Sequence, residues 1–155
     1  MKKTGISLTF AVCALILSLL PSCRMNNGDI GDFFGTWYME SMTVDGEPNP
    51  ELPHERLFWS FQNHLICITV TTDHHDSLDS WGSWQDEGGL LYLDFTHSEG
   101  DGEGGLPPYA APEVLMFPPN SVVALRFAER SSRQMRLEWT DDAGHRIVYE
   151  LKKTW

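Results

Sequence analysis

His74, His75 and Asp76, with Asp73 and Asp79 close by, put imidazole and carboxylate groups into one short segment, the side-chain set that holds zinc or copper. Neighbouring residues on a strand point to opposite sides, and the sequence offers no second close His pair. The remaining ligands of a tetrahedral site are missing, so a solvated polar turn is expected there. Glu99, Asp101 and Glu103 alternate with Gly100, Gly102 and Gly104 as the first ligands of a calcium loop do, but Ala110 stands where a bidentate Glu would close it. No metal and no other cofactor is expected. The sequence has no Gly-x-Ser-x-Gly, no His-Glu-x-x-His and no glycine-rich turn for phosphates, and no enzyme is expected. Cys67 lies in the apolar run Leu65 to Val70, where a thiol serves as a small buried hydrophobe. Trp59, Trp84, Phe95 and Tyr149 are the better candidates. Aromatic faces bind apolar rings well, and Trp and Tyr keep a polar handle, so these four are expected to line a ligand site near an open end, unless they simply fill an interior.

The N-terminus carries a different chemistry. Lys2 and Lys3 precede the apolar run Ile6 to Leu20, the charged and hydrophobic regions of a secretory signal, too short for a stable span. Leu20, Pro21, Ser22 and Cys23 follow, and this resembles a bacterial lipobox, although Pro21 departs from the usual small residue. The resemblance implies that 1–22 is a lipoprotein signal peptide, that Cys23 is lipidated, and that the membrane is a partner through this anchor. Arg24 rather than Asp follows Cys23, which resembles lipoproteins of the outer membrane; without a compact acidic run after it, the periplasmic face is favoured over the cell surface. Residues 23–32, with Asn26, Asn27, Gly28 and Gly31, then read as the lipidated Cys and a polar tether, and 33–155 as one domain. Loss of Lys2 and Lys3 takes the net charge from −11 to −13, so nucleic acid and electrostatic docking to anionic headgroups are poor partners.

The elements that must position these groups are strands. Alternation between turn clusters predicts eight of them, at 34–44, 55–62, 64–72, 80–86, 90–96, 121–129, 134–140 and 145–153. Leu57, Trp59 and Phe61 share one face, as do Leu91, Leu93 and Phe95, then Met135, Leu137 and Trp139, then Ile147, Tyr149 and Leu151, with Val123, Leu125 and Phe127 added. Eight antiparallel strands with one apolar face each are expected to close into an all-β up-and-down barrel with a largely packed interior, a β-sandwich being the alternative. The stretch 96–120, rich in Gly and then Pro, is a long loop in which Ala111 to Phe117 can hold one helical turn between Pro112 and Pro118.

Phe34-Gly35-Thr36-Trp37, opening the first strand, resembles the Gly-x-Trp signature of the lipocalin and calycin superfamily. With the lipobox, tether and strand meander, the layout is similar to small lipocalin-like lipoproteins of Bacteroidetes. The resemblance implies that Gly35 and Trp37 form the barrel base, that a basic residue of the last strand, Arg146 or Lys152, covers Trp37, and that a small hydrophobic or amphipathic ligand sits in the mouth. The alternative is a solid barrel whose loop 96–120 captures a protein or glycan partner through Leu106, Tyr109, Leu115 and Phe117, expected to be exposed.

Overall fold

The computed structural model describes residues 28–50, 52, 55–72, 74, 76–96 and 110–154. Among them are nine strands, β1 (Gly35–Val44), β2 (Glu47–Pro48), β3 (Glu55–Gln62), β4 (Leu65–Thr72), β5 (Ser77–Glu87), β6 (Leu90–Asp94), β7 (Val122–Arg130), β8 (Gln134–Thr140) and β9 (Arg146–Lys153). The two-residue β2 only folds back on β1; the other eight pair antiparallel in sequence order, and β1 also pairs with β9. That last pairing closes the sheet. It leaves no long edge unpaired, which is why the barrel forms and the sandwich does not.

Alternation places the expected face inside: Leu57, Trp59, Phe61, Leu91, Leu93, Leu125, Leu137, Ile147 and Tyr149 are fully buried. Phe127 and Trp139, at the two ends, are half-buried. In β1 a bulge between Met39 and Ser41 shifts the phase, so that Met39 and Met42, three apart, both reach the core. Gly88 and Gly89, both at positive φ, make the tight turn from β5 to β6 that L side chains would strain.

The ends of the eight expected strands fall within one residue of the sequence pattern except at two places, and the tether differs as well. β5 begins at Ser77 rather than 80, because Ser77, Leu78 and Asp79 continue the ladder opposite Thr71, Val70 and Thr69, and the Thr69 hydroxyl donates to Asp79 Oδ1 at 2.7 Å. β6 ends at Asp94 rather than 96, since Asp94 Oδ1 accepts from the amide of Thr96 at 2.8 Å and from its hydroxyl at 2.6 Å, which turns the chain out of the ladder. Gly28–Phe33, expected to belong mostly to the tether, is a 3-10 segment kinked at Gly31.

Glu138 is buried on the outer wall beneath three arginines that are 44–61% exposed; Arg126 and Arg146 hydrogen-bond its carboxylate and Arg136 lies 3.9 Å away. Burial by itself would raise the carboxyl's pKa, but the hydrogen bond from Arg146 and the charges of Arg146, Arg126 and Arg136 outweigh it and hold the pKa below the ordinary value. A lowered folded-state pKa stabilises the fold above the unfolded value of about 4.5, and this contribution fades as the pH falls through the folded value. Glu138→Gln should therefore unfold more easily than the parent at pH 7, with the gap closing in acid. A gap that is unchanged across acid unfolding titrations would show that the charge of Glu138 contributes nothing.

Candidate functional site

One end of the barrel is shut by the chain entering it. Gly35, at φ 116, takes a backbone conformation open to glycine and lets the 3-10 segment turn into β1. Trp37 is 1% exposed, and its indole Nε1 donates to the Phe33 carbonyl at 3.0 Å. Phe33 lies across the opening with its ring 4.9 Å from Trp84, 5.4 Å from Phe61 and 5.7 Å from Phe127, and the Arg130 guanidinium covers it at 4.5 Å. Neither residue expected to cover Trp37 does so. Arg146 reaches Glu138 on the outer wall and Lys152 pairs with Glu40, because even-numbered residues of β9 face outward. The cation over Trp37 is Lys153, in register with inward Leu151; its Nζ lies 5.3 Å from the ring and donates to the Asp32 carbonyl at 2.7 Å.

At the opposite end, residues 110–121 fold back into the mouth. The expected helical turn is present as a 3-10 turn, Glu113–Leu115, between Pro112 and a left-handed Met116. Leu115 is fully buried and Phe117 half-buried, which corrects the expectation that both are exposed for a partner. The Phe117 ring meets Tyr149 at 5.8 Å, Trp139 at 5.9 Å, Trp59 at 6.4 Å and Phe95 at 6.5 Å. Apolar rings are taken from water by doing so, and this is the force that draws the loop inward. Polar groups then fix it. The Tyr149 hydroxyl accepts from Trp139 Nε1 at 2.9 Å and donates to the Leu115 carbonyl at 2.6 Å, and Asn49 Nδ2 donates to the Val114 carbonyl at 3.3 Å.

Burial pushes the Tyr149 phenol well above its ordinary pKa, against the lowering effect of the Trp139 hydrogen bond, so it stays a donor at any physiological pH. Tyr149→Phe leaves the Leu115 carbonyl and the Trp139 indole without this partner, at a cost of about 1–2 kcal/mol. Chemical denaturation should show that loss together with a change in tryptophan emission. A neutral substitution would mean that ring packing alone seats the loop.

Of the four aromatic candidates, Trp59, Phe95 and Tyr149 come together in the mouth. Trp84 does not join them: it packs edge-on to Phe61 at 5.3 Å and beside Phe33, at the closed end. β5 runs towards that end, and Trp84 sits three residues before its last, Glu87. Trp139, which the pattern places inward with Met135 and Leu137 and whose ring could line a pocket, joins Trp59, Phe95 and Tyr149 in the mouth. Asn49, Phe33 and Lys153 were not singled out by the sequence pattern, and the inward phase shared with Leu151 was the available signal for Lys153. Cys23 and the signal segment, Asp73, His75, the acidic run Glu99 to Glu103, Leu106 and Tyr109 lie outside the described residues.

Two hollows border these groups. A cleft of about 340 Å³ at the mouth is lined by Phe95, Ala111, Glu113 and Phe117 through Ser121. A wider depression of about 970 Å³ runs from Phe33 and Trp84 along the outside of β5 and β6, past Asp86, Glu87, Tyr92 and Asp94. It is open and rimmed by carboxylates, whereas the mouth combines apolar walls with a few aimed polar groups, as small-molecule sites do.

Residues 15–141 match the model of a family described as lipocalin-like domain. Among solved structures, an uncharacterised protein of Bacteroides eggerthii is similar at 11% identity and TM-score 0.52, over 76% of this chain and 98% of that one. A lipocalin-like protein of Bacteroides uniformis aligns at 14% identity and TM-score 0.49, over 79% and 99% of the two chains. Lobster apocrustacyanin A1 aligns at 14% identity and TM-score 0.43, over 81% of this chain and 63% of its own. Among curated proteins none is significantly similar. The closed eight-stranded barrel, with its base at Gly35 and Trp37, agrees with the family match: the chain belongs to the lipocalin-like domain family.

Proposed function

We propose that the protein is a lipid-anchored binding protein of the cell envelope that takes a small apolar or amphipathic ligand into the mouth of its barrel. The observation that carries this reading is the convergence of Trp59, Phe95 and Tyr149, from distant parts of the chain, on a single ring-sized space now filled by Phe117. Burial of apolar ligand surface there drives binding at roughly 25 cal/mol per Å². A binding role is favoured over catalysis because the buried carboxylate Glu138 lies on the outer wall and is neutralised by arginines. Titrating the protein with fatty acids, bile acids, haem and hydrophobic dyes while following tryptophan fluorescence tests the reading. A saturable change is expected from at least one, and none from any of them removes it.

The anchor rests on the sequence Leu20 to Cys23. Acyl chains at Cys23 contribute about 0.8 kcal/mol per buried CH₂, enough together to hold the domain on the outer membrane, facing the periplasm. Cys23→Ala should end lipid labelling and move the protein out of the membrane fraction; continued labelling would sink this part of the reading.

A second reading follows from the filled interior, closed by Phe33 at one end and by Leu115 and Phe117 at the other. A solid barrel can serve as a scaffold on which the rest of the loop, with Leu106 and Tyr109, captures a protein or glycan. Deleting 100–107 should then abolish partner capture while the thermal transition stays in place. If the deletion leaves capture intact, this second reading is wrong.

A further inference from the structure

We propose that Pro112–Phe117 is an internal occupant of the ligand site, and that the ligand displacing it is an uncharged ring compound that offers oxygen acceptors rather than donors. The proposal rests on the small-ligand reading above and adds to it both the ligand's chemistry and a competitor built into the chain. Phe117 already behaves as a bound ring, set edge-on to Trp59, Trp139 and Tyr149 at 5.8–6.4 Å. The Leu115 carbonyl behaves as a bound acceptor, because the relay from Trp139 Nε1 through the Tyr149 hydroxyl ends on it. A ligand that takes this place must supply a ring and oxygen acceptors, since displacing the segment frees both the Tyr149 hydroxyl and Asn49 Nδ2, which donates to the Val114 carbonyl.

A second, independent observation points the same way. Trp59 is fully buried, yet its indole Nε1 has no hydrogen-bond partner. An unmet donor in an apolar interior is costly, and a ligand acceptor would remove that cost. The mouth therefore holds donors on Asn49, Trp59, Trp139 and Tyr149, and that of Trp59 lacks an acceptor even when the internal occupant is seated.

The same surroundings argue against a charged ligand. Among the described residues the buried inward side chains are apolar or aromatic apart from Ser80, the amide of Asn49 at the mouth is uncharged, and the buried carboxylate, Glu138, faces the outer wall. A carboxylate head in this mouth would be desolvated without a counter-ion, beneath a surface of net charge −11 for the whole chain. A neutral ketone, quinone or ether oxygen meets the donors without that penalty.

An internal competitor lowers the apparent affinity in proportion to the fraction of molecules with an empty mouth. Removing its ring should raise affinity even though an aromatic wall contact is lost. The test uses the full lipidated chain in phospholipid nanodiscs, with empty nanodiscs as blank, and reads tryptophan quenching and equilibrium dialysis with 2-acetylnaphthalene, 2-naphthoate, naphthalene and decan-2-one. The neutral ketone with a ring should bind best, and Phe117→Ala should bind it about tenfold or more tightly, with Phe117→Leu in between as a variant that keeps apolar volume. Adding Tyr149→Phe to Phe117→Ala should shrink the preference for 2-acetylnaphthalene over naphthalene without abolishing it, because the indoles of Trp59 and Trp139 remain as donors. Tighter binding of 2-naphthoate or decan-2-one than of the ketone overturns the ligand class. If ligands bind the parent and neither Phe117 variant changes their affinity, the internal occupant is wrong while the small-ligand reading stands; if no ligand binds the parent or either variant, both fall.

Discussion

Replacing Trp37 with Ala should lower the unfolding free energy by about 3–5 kcal/mol and the melting temperature by roughly 10–20 °C. Three losses combine. The 1% exposed indole leaves a cavity that the barrel wall, fixed on both sides by the ladders to β3 and β9, cannot collapse to fill. The Phe33 carbonyl loses the donor that holds the 3-10 segment across the base. Lys153 loses the ring beneath it, a smaller effect of under about 1 kcal/mol, and Lys153→Met, which also gives up the bond to the Asp32 carbonyl, sets an upper bound on that part. Because Phe33 stacks on Trp84 at 4.9 Å, loosening the segment should also redden Trp84 emission before global unfolding begins. Since a domain of this size has about 5–15 kcal/mol in total, the variant will be marginal at growth temperature. A destabilisation below about 1 kcal/mol, with Trp84 emission unmoved, would show that the base is held by the strand ladders alone.

The Gly35 and Trp37 part of the base was legible in the sequence because it is local, whereas the rings and cations that cover it, Trp84, Phe127, Arg130 and Lys153, come from distant strands. Gly35 and Trp37 are two apart, and alternation along β3, β6, β8 and β9 reports which side chains face inward. Alternation reports side and not height, and this is how Trp84 came to be grouped with Trp59 and Tyr149. Height was available from counting: each strand of an up-and-down barrel reverses direction, so the turn at Gly88 and Gly89 must lie at the same end as Gly35, and Trp84 close to it. The same parity excludes Arg146 and Lys152 as covers for Trp37 and selects Lys153. The aromatic wall of the mouth was legible in Trp59, Phe95 and Tyr149, but the segment that fills it was not. Ala111 to Phe117 has no period that says inward, and its place is set by contacts to Tyr149 and Asn49, 34 and 65 residues away along the chain. Composition alone makes such a stretch look like an exposed loop, whereas the open ring of Trp59, Phe95 and Tyr149 decides that it is buried.

Gly82→Val should cost about 3 kcal/mol, and Gly82→Ala somewhat less, through crowding rather than backbone conformation. Gly82 faces inward on β5, between Ser80 and Trp84, and is buried at an ordinary strand φ, so its lack of a side chain serves space. A Cβ there would lie 2.7 Å from the Asp94 carbonyl oxygen and 2.8 and 2.9 Å from two ring carbons of Phe95. The ring can swing; the carbonyl cannot without opening the end of the β5–β6 ladder, where Ser83 faces Asp94. Phe95 in turn supports Phe117 at 6.5 Å, so a side chain at position 82 presses, through one ring, on the segment that fills the mouth. The two contacts are separable by a double-mutant cycle with Phe95→Ala. If the ring is the main obstacle, Phe95→Ala should recover much of the loss caused by either Gly82→Ala or Gly82→Val; the Cβ that both carry still meets the carbonyl, and that part of the cost remains. Additive losses in both cycles would assign the whole cost to the backbone contact, and a neutral Gly82→Val would mean that β6 and the mouth yield to a side chain at this height.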